Sequence, residues 1–378
     1  MKTIYLDNAA TTPMLPEVID SVTEAMKSTF GNPSSTHQLG RKSRALVENA
    51  RKSIAKQLKA SSAELFFTAG GSEADNLILH NAVTNLGVKT IISSKIEHHA
   101  IIHTIEHLKT NYAVEVKWVN LKSNGAIDYQ NLEQLLENTS SKTLVSLMYV
   151  NNEIGNLLDL KKVSDLCIKY NALFHSDTVQ GIGHFDIDVT KTPIDFFTAS
   201  AHKFHGPKGV GFAYIKKGFG VQPILFGGEQ EKGARAGTEN IHSIFGMQKA
   251  LEIACDNLTE ESAYIQSIKN HFINSLKSNF KDIKFNGLSE SETESSYIIL
   301  NVRFPKSYPM LLFNLDLKGI AASGGSACQS GSSKGSHVLY EILDDEEALK
   351  TSVRFSFSKL TTIADIDYVI SVLKELIQ

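Results

Sequence analysis

The chain has 378 residues, 42% hydrophobic and 21% charged, a composition typical of a globular protein of about two domains with a sizeable core. Its 38 basic and 41 acidic residues give a formal net charge of −3, so we expect no nucleic-acid partner. No apolar run is long enough to span a membrane, the start carries no signal peptide, and three widely spaced cysteines favour a reducing compartment, so a cytoplasmic protein is expected.

Helices and strands alternate through most of the chain. After a short arm over residues 1–13, helices are predicted over 17–29 and 38–59. From residue 64 onward, apolar runs separated by helical stretches predict strands at 64–69, 89–95, 113–119, 142–149, 172–176, 194–199 and 209–215. This α/β alternation predicts a mostly parallel seven-stranded sheet covered on both faces, with ligands bound at the carboxyl ends of its strands.

The last third of the chain is predicted to form a smaller α+β unit. A helix over 241–256 leads out of the first unit. The elements that follow are helices at 260–280 and 308–317, strands near 296–302 and 352–358, a Gly/Ser-rich loop at 323–335, and a last helix capped by Thr361 or Thr362 with Asp365.

A lysine at the mouth of a predicted buried strand is the first candidate functional residue. Lys203 follows the run 194–199 and precedes Gly206-Pro207. A lone ammonium is costly to desolvate there, and that cost disappears if the amine binds a carbonyl cofactor such as pyridoxal 5'-phosphate (PLP) covalently. A surface lysine whose stem lies along the strand end is an equally good interpretation of this residue alone.

Two other strand ends carry residues that suit the same cofactor. Asp177 follows the strand at 172–176, where its carboxylate would keep the ring nitrogen of PLP protonated, although such residues are common in turns. Gly70-Gly71-Ser72 follows the strand at 64–69, with Ser72 predicted as the N-cap of a helix and Asp75 three residues on. Backbone N–H groups at a helix start bind phosphate well.

The order of these segments resembles the fold-type I PLP enzymes, and among them the cysteine desulfurases of the nitrogen-fixation and iron–sulfur-cluster type. The resemblance runs through nearly the whole chain and implies a large PLP-binding domain over 14–256. It also implies a small domain, made of 1–13 and 257–378, that carries a catalytic cysteine loop. The other segments that carry it are Tyr5-Leu6-Asp7-Asn8-Ala9-Ala10-Thr11-Thr12-Pro13, Gly31-Asn32-Pro33-Ser34-Ser35, Glu97-His98-His99-Ala100, Val150-Asn151-Asn152-Glu153-Ile154-Gly155, Arg235-Ala236-Gly237-Thr238-Glu239-Asn240 and Gly324-Gly325-Ser326-Ala327-Cys328.

The resemblance also implies a role for each site residue. Lys203, Cys328 and His98 would be catalytic: the covalent lysine, the sulfur acceptor, and the imidazole that stacks on PLP and relays protons. Asn152 and Arg354 would bind the substrate carboxylate. Thr238 would contact the phosphate in the partner subunit of a homodimer. The cofactor-binding set is Gly71, Ser72, His98, Asn152, Asp177, Gln180, Ser200, His202, Lys203 and Thr238.

The residues themselves give independent support at two of these positions. Cysteines are usually buried, yet Cys328 lies in the most Gly/Ser-rich stretch, which favours a nucleophile over a structural residue. Cys167 and Cys255 fall on helical apolar patterns and are predicted to be core residues. Arg354 is a lone charge in an apolar strand, and a substrate carboxylate or an internal salt bridge would serve equally well as its partner.

A row of histidines suggests a different site. His99, His103 and His107 recur every four residues, which is a possible metal-binding stripe. No Glu or Cys completes a known ligand set at this spacing, so we expect no metal.

The predicted function is the conversion of L-cysteine to L-alanine, with sulfur passed to Cys328 as a persulfide for iron–sulfur cluster assembly or other sulfur trafficking. The partner expected is an acceptor such as an iron–sulfur scaffold. The chain departs from the family where Ser333-Lys334-Gly335 replaces Leu-Glu-Pro and Ser358-Lys359 replaces Gly-Arg. The alternatives are a selenocysteine lyase or PLP aminotransferase on the same fold, and a non-catalytic sulfur-relay protein.

Overall fold

The structure, a computed structural model, describes residues 3–324 and 335–377. Its helices are α1 (Pro16–Ser28), α2 (Gln38–Gln57), α3 (Gly71–Thr84), α4 (His99–Tyr112), α5 (Tyr129–Glu137), α6 (Leu160–Lys169), α7 (Ile241–Asp256), α8 (Leu258–Asn279), α9 (Leu311–Leu317), α10 (His337–Ile342), α11 (Asp345–Ala348) and α12 (Ile363–Ile377). Its strands are β1 (Ile4–Tyr5), β2 (Leu65–Thr68), β3 (Thr90–Ser93), β4 (Glu115–Trp118), β5 (Thr143–Ser146), β6 (Leu173–Ser176), β7 (Phe196–Ser200), β8 (Gly211–Ile215), β9 (Lys284–Phe285), β10 (Ile299–Arg303), β11 (Ile320–Ala321) and β12 (Ser352–Ser356).

Seven strands form one sheet in the order β2-β8-β7-β6-β5-β3-β4. Neighbours from β7 through to β4 run parallel, and β8 runs antiparallel to both β7 and β2. The predicted mostly parallel seven-stranded sheet is therefore confirmed. Successive residues of a strand point to opposite faces, so Phe196 packs with α3 and α4, whereas Phe197 packs in the larger core with α1, α2, α5, α6 and α7.

The C-terminal part of the chain is built on a three-stranded antiparallel sheet in the order β12-β10-β9. Helices α8 and α12 contribute Phe272 and Val369 to the apolar core that covers it. The arm at the start of the chain joins this part, because β1 pairs in parallel with β11 and Asp7 bridges to Ser356. We propose on this basis that 1–13 and 257–378 form the small domain and 14–256 the large one.

The N-caps of α12 and α3 can each be explained by the residues at the start of the helix. Thr362 donates its hydroxyl to the Asp365 carboxylate over 2.8 Å, and the Asp365 amide donates to the same hydroxyl, as predicted for the cap of α12. The predicted N-cap of α3 is wrong, because the helix begins at Gly71 and Gly70 takes the cap position with φ of +153°. Glycine adopts this positive φ without steric strain, so the chain turns into the helix at Gly70, before Ser72 is reached. None of the helices within 3–324 and 335–377 is long and apolar enough to cross a membrane.

Candidate active site

A cleft of about 210 Å³ lies at the carboxyl ends of the parallel strands. The loops after β2, β3, β5, β6 and β7 all contribute to it, together with β12 and the N-terminal arm. Ten of the twelve predicted site residues line this cleft, and the other two are Thr238 and Cys328. The ten are Gly71, Ser72, His98, Asn152, Asp177, Gln180, Ser200, His202, Lys203 and Arg354.

Lys203 reaches the cleft from a single 3-10 turn, Ala201–Lys203, that directly follows β7. Its Nζ donates hydrogen bonds to the carbonyl oxygens of Ala9 (2.7 Å) and Ala10 (2.9 Å) in the arm. The side chain is half-buried, and its amine is held by two neutral acceptors. An amine held in the cleft in this way can exchange those bonds for a covalent bond to a carbonyl cofactor.

Asp177 is buried beside β6 and faces two other buried carboxyl groups. Burial and then the nearby Asp75 raise the pKa of Asp177 to about 6. Burial also raises the pKa of Asp75 to about 7 and that of Glu97 well above its ordinary value. One oxygen of Asp177 accepts a hydrogen bond from the Val179 amide (2.9 Å), which fixes the carboxyl group. A protonated ring nitrogen would supply the cation that this acidic pocket favours, so the residues fit PLP.

His98 is the N-cap of α4. Its Nδ1 accepts a hydrogen bond from the Ala100 amide over 3.1 Å, which leaves Nε2 as the ring N–H in the neutral form. Burial lowers the pKa of His98, while Asp177 acts in the opposite direction and Lys203 lowers it further. The imidazole is therefore neutral near pH 7, which suits stacking on a ring and passing on a proton.

The start of α3 supplies donors for a phosphate group. A Cβ on Gly71 would lie 2.4 Å from Cγ2 of Val179, so only glycine allows this close approach. Gly71 and Ser72, the first two residues of α3, line the cleft together with Ser200 and His202. Burial and then Lys203 lower the pKa of His202 to about 4, so this ring is a neutral donor or acceptor. Such a set of donors fits the phosphate of PLP.

Arg354 and Asn152 meet in the same cleft. Nη2 of Arg354 donates to Oδ1 of Asp7 over 2.8 Å, and Nη1 donates to the backbone oxygen of Asn152 over 2.8 Å. Of the two alternatives predicted for Arg354, the internal salt bridge is therefore present. Nε of the same guanidinium is buried and has no hydrogen-bond partner.

The comparisons with known proteins decide the family. Residues 4–369 match the family Aminotransferase class-V. The protein named cysteine desulfurase IscS from Dictyoglomus turgidum is 37% identical over 380 residues, covering 99% of this chain and 94% of that protein. Its counterpart from Clostridium botulinum is 39% identical over 382 residues, covering 100% and 95%. The chain belongs to the cysteine desulfurase family. The predicted class of enzyme and its PLP cofactor are thereby confirmed.

Solved structures give this desulfurase the same fold. A NifS-like protein superposes with a TM-score of 0.90 at 32% identity, covering 99% of this chain and 98% of that one. The NifS-like protein of Rickettsia africae gives 0.88 at 32% identity, covering 99% of each chain. A structure described as SspA in complex with cysteine gives 0.81 at 29% identity, covering 95% and 100%. The predicted PLP-dependent transferase fold of type I is confirmed.

Two predicted site residues of the desulfurase lie elsewhere. Thr238 is exposed and lines a separate cavity of about 200 Å³ with Arg235 and Asn240. Cys328 and the departure Ser333-Lys334 lie outside the described residues. The other departure, Ser358-Lys359, lines a small cavity of about 20 Å³ behind Lys203 rather than the cleft, and Lys359 pairs with Glu261 over 2.7 Å.

The predicted histidine stripe of the desulfurase is divided between two pairs. The rings of His99 and His103 stack with centroids 4.9 Å apart, while His107 lies 5.4 Å from His80. Across the described ranges, no group of three His, Cys, Asp or Glu side chains has the geometry to hold a metal ion.

Sequence reasoning missed the contribution of the arm to the desulfurase cleft. The carbonyl of Ala9 accepts from both Lys203 and Gln180, and Asp7 holds Arg354. Backbone carbonyls leave no signature in a sequence, and only the arm motif over residues 5–13 could have drawn attention to this segment.

Proposed function

We propose that this enzyme converts L-cysteine to L-alanine in the cleft and leaves the sulfur as a persulfide on Cys328. One observation carries the proposal: Lys203, Asp177 and Arg354, which suit an amine exchange, a ring cation and a carboxylate, lie in a single cleft. An amino acid held by its carboxylate at Arg354 would share this cleft with the amine of Lys203.

The described residues would hold the cofactor by its ends. Bound PLP supplies an electron sink for charge that develops at Cα of the substrate. Asp177 would keep the proton on its ring nitrogen, and Gln180 and Asn152 would bind its ring oxygen. The first turn of α3, with Ser72, Ser200 and His202, would bind its phosphate; all of these residues line the cleft.

The same residues orient the substrate and move its protons. Arg354 and Asn152 bind the α-carboxylate, and Nζ of Lys203 takes the proton from Cα. Nε2–H of His98 relays a proton to or from the substrate. The thiolate of Cys328 attacks the substrate sulfur, the Cβ–S bond breaks, Cβ is protonated, and Nζ of Lys203 returns a proton to Cα to give L-alanine.

Absorbance and product analysis test the function together. We expect the purified protein to show the absorbance of lysine-bound PLP and to release alanine and sulfide from L-cysteine in the presence of a thiol. Absence of both the absorbance and the sulfide would support the non-catalytic relay. The absorbance with keto-acid exchange would support the aminotransferase, and a preference for selenocysteine would support the lyase.

Reduction with borohydride is expected to attach the cofactor to Lys203. The reason is its position at the carboxyl end of β7, where the amine lines the cleft. Peptide mapping after reduction locates the label. Lys208, five residues further on, is the internal control, because it does not line the cleft. A label on Lys208 would refute the assignment.

We expect the enzyme to be a homodimer that shares its sites. Thr238 is exposed outside the cleft of its own chain, as a residue that serves a partner's phosphate must be. The same region exposes Phe226 to 87%, and the Ala236 amide donates to the Leu225 carbonyl, which joins the two segments. An apolar side chain this exposed favours burial in an interface.

Sedimentation of the PLP-loaded protein at micromolar concentration tests the dimer. Phe226→Glu is expected to shift the equilibrium to monomer and to loosen PLP by about tenfold or more. Ile168→Glu, at another exposed apolar position on α6, is the matched control and should leave the dimer intact. A wild-type protein that sediments as a monomer contradicts the proposal.

The sulfur acceptor is the remaining part of the proposed function. We infer a cytoplasmic enzyme, since Cys167 and Cys255 are free thiols, and an acceptor protein such as an iron–sulfur scaffold. Affinity capture with the persulfide-loaded enzyme, followed by detection of transferred sulfur on the captured protein, identifies the acceptor.

A further inference from the structure

Asp7 holds the guanidinium of Arg354, a residue that lines the cleft. Arg354 is buried in β12, and two of its three nitrogens have partners, Nη2 with Asp7 and Nη1 with the carbonyl of Asn152. Nε is buried without a partner. The arginine is thus already paired with a carboxylate of its own chain, yet these bonds use two of its five N–H groups and the side chain lines the cleft, where a second anion can bind.

Backbone contacts keep Asp7 in place. Its carbonyl accepts from the Ala10 amide (3.0 Å) and from the Tyr5 hydroxyl (3.2 Å), and the residue bridges to Ser356 of β12. A few residues on, the arm is tied to the large sheet through the hydrogen bond from Nζ of Lys203 to the Ala9 carbonyl. Because the segment is anchored at both ends, the Asp7 carboxylate stays at Arg354 when another carboxylate arrives.

We propose that Asp7 sets the affinity of the enzyme for the α-carboxylate of substrate and product. This inference rests on the proposed role of Arg354 in binding that carboxylate. The α-carboxylate is the second anion at the Arg354 guanidinium, which already pairs with Asp7. The negative charge of Asp7 therefore repels the α-carboxylate and weakens its binding. Substrate and product carry the same carboxylate, and an arginine without a counter-ion would retain L-alanine as firmly as it captures L-cysteine. Asp7 is in this sense a positioning and affinity-setting residue, not a catalytic one.

Asp7→Asn separates the charge from the hydrogen bond. The amide oxygen can still accept from Nη2 of Arg354, so the guanidinium keeps its orientation while the negative charge is lost. Two carboxylates on one guanidinium lie close enough for their repulsion to change affinity by about tenfold at the effective dielectric of a protein site. We therefore expect the dissociation constant of L-alanine to fall about tenfold, and the KM for L-cysteine to fall with it.

The change in cofactor absorbance of the PLP-loaded enzyme measures this binding without any sulfur chemistry. L-alaninamide, which lacks a carboxylate, is the matched ligand, and its affinity should be the same in wild type and Asp7→Asn. Asp20→Asn removes an exposed carboxylate on α1 that does not line the cleft, and it should leave both affinities unchanged. Arg354→Gln should abolish the preference for L-alanine over L-alaninamide.

The outcomes keep this inference distinct from the proposed function. Weaker or unchanged L-alanine binding in Asp7→Asn overturns the inference, as does equal tightening of L-alaninamide. If Asp7→Asn does not load PLP, Asp7→Ser, whose hydroxyl can also accept from Nη2, takes its place under the same criteria. Sulfide release by the wild-type enzyme tests the desulfurase function separately, because neither binding measurement depends on it.

Discussion

The variant Asp177→Asn is expected to retain PLP but to turn over about a hundredfold more slowly than the wild type. Loss of the charge lowers the pKa of the ring nitrogen by about two units, and two units correspond to a factor of about a hundred. The amide keeps a hydrogen-bond acceptor in the same place but loses the charge that holds a proton on the ring. The cofactor then becomes a weaker electron sink, and removal of the Cα proton slows. Steady-state alanine formation at saturating PLP measures the effect.

A pH series adds a second readout for Asp177. Burial and Asp75 raise its pKa to about 6, so the carboxyl group is protonated below that pH and ionised above it. Attraction of a cationic ring therefore strengthens as the pH rises through about 6, and the affinity of the wild-type protein for PLP should rise over the same interval. The Asn variant should lose this rise.

Asp75→Asn is the matched control for Asp177→Asn. Asp75 is equally buried in the same cleft, but burial raises its pKa to about 7, so it is already half protonated near neutral pH. Removing its charge also removes a repulsion on Asp177. We expect a smaller loss of turnover than for Asp177→Asn, and near-normal turnover in Asp177→Asn would refute the assigned role.

The sheet and the main site residues could be predicted because their physical causes are local. Strands covered on both faces are continuous apolar runs, and each of the seven predicted strands is present within a few residues. Parallel topology then brings the ends of β2, β6 and β7 to one edge. Gly71, Asp177 and Lys203, which are far apart in the sequence, could therefore be placed together from the sequence alone, and all three line the cleft.

What the sequence could not predict depends on long-range contacts. Strand β1 has two residues and forms only because Ile4 pairs with Ile320, and no pattern of two residues reveals such a partner. The same applies to β9, β11, α10 and α11, which are all short. Arg354 illustrates the limit at the site: its sequence context allowed a substrate or an internal partner, and the structure places Asp7 beside it.

Cys328→Ser is expected to abolish persulfide formation and to reduce sulfide release by about a thousandfold or more, as for other enzymes that lose their nucleophile. The variant should still load PLP and still change its cofactor spectrum when L-cysteine is added. Sulfur transfer follows the chemistry at the cofactor, so only the later step is lost. Quantifying alanine, sulfide and protein-bound persulfide resolves the two stages.

The other two cysteines are the controls, and their surroundings explain why they cannot replace Cys328. Burial raises the pKa of Cys167 far above neutral, and burial and Asp256 raise that of Cys255 to about 11, so neither forms a useful amount of thiolate at pH 7. An unperturbed thiol, with a pKa of about 8.5, is already a few per cent thiolate there. Cys167→Ser and Cys255→Ser should therefore transfer sulfur as the wild type does. Wild-type desulfuration by Cys328→Ser would overturn the proposed function itself, because no other thiol among the described residues is fit to take the sulfur.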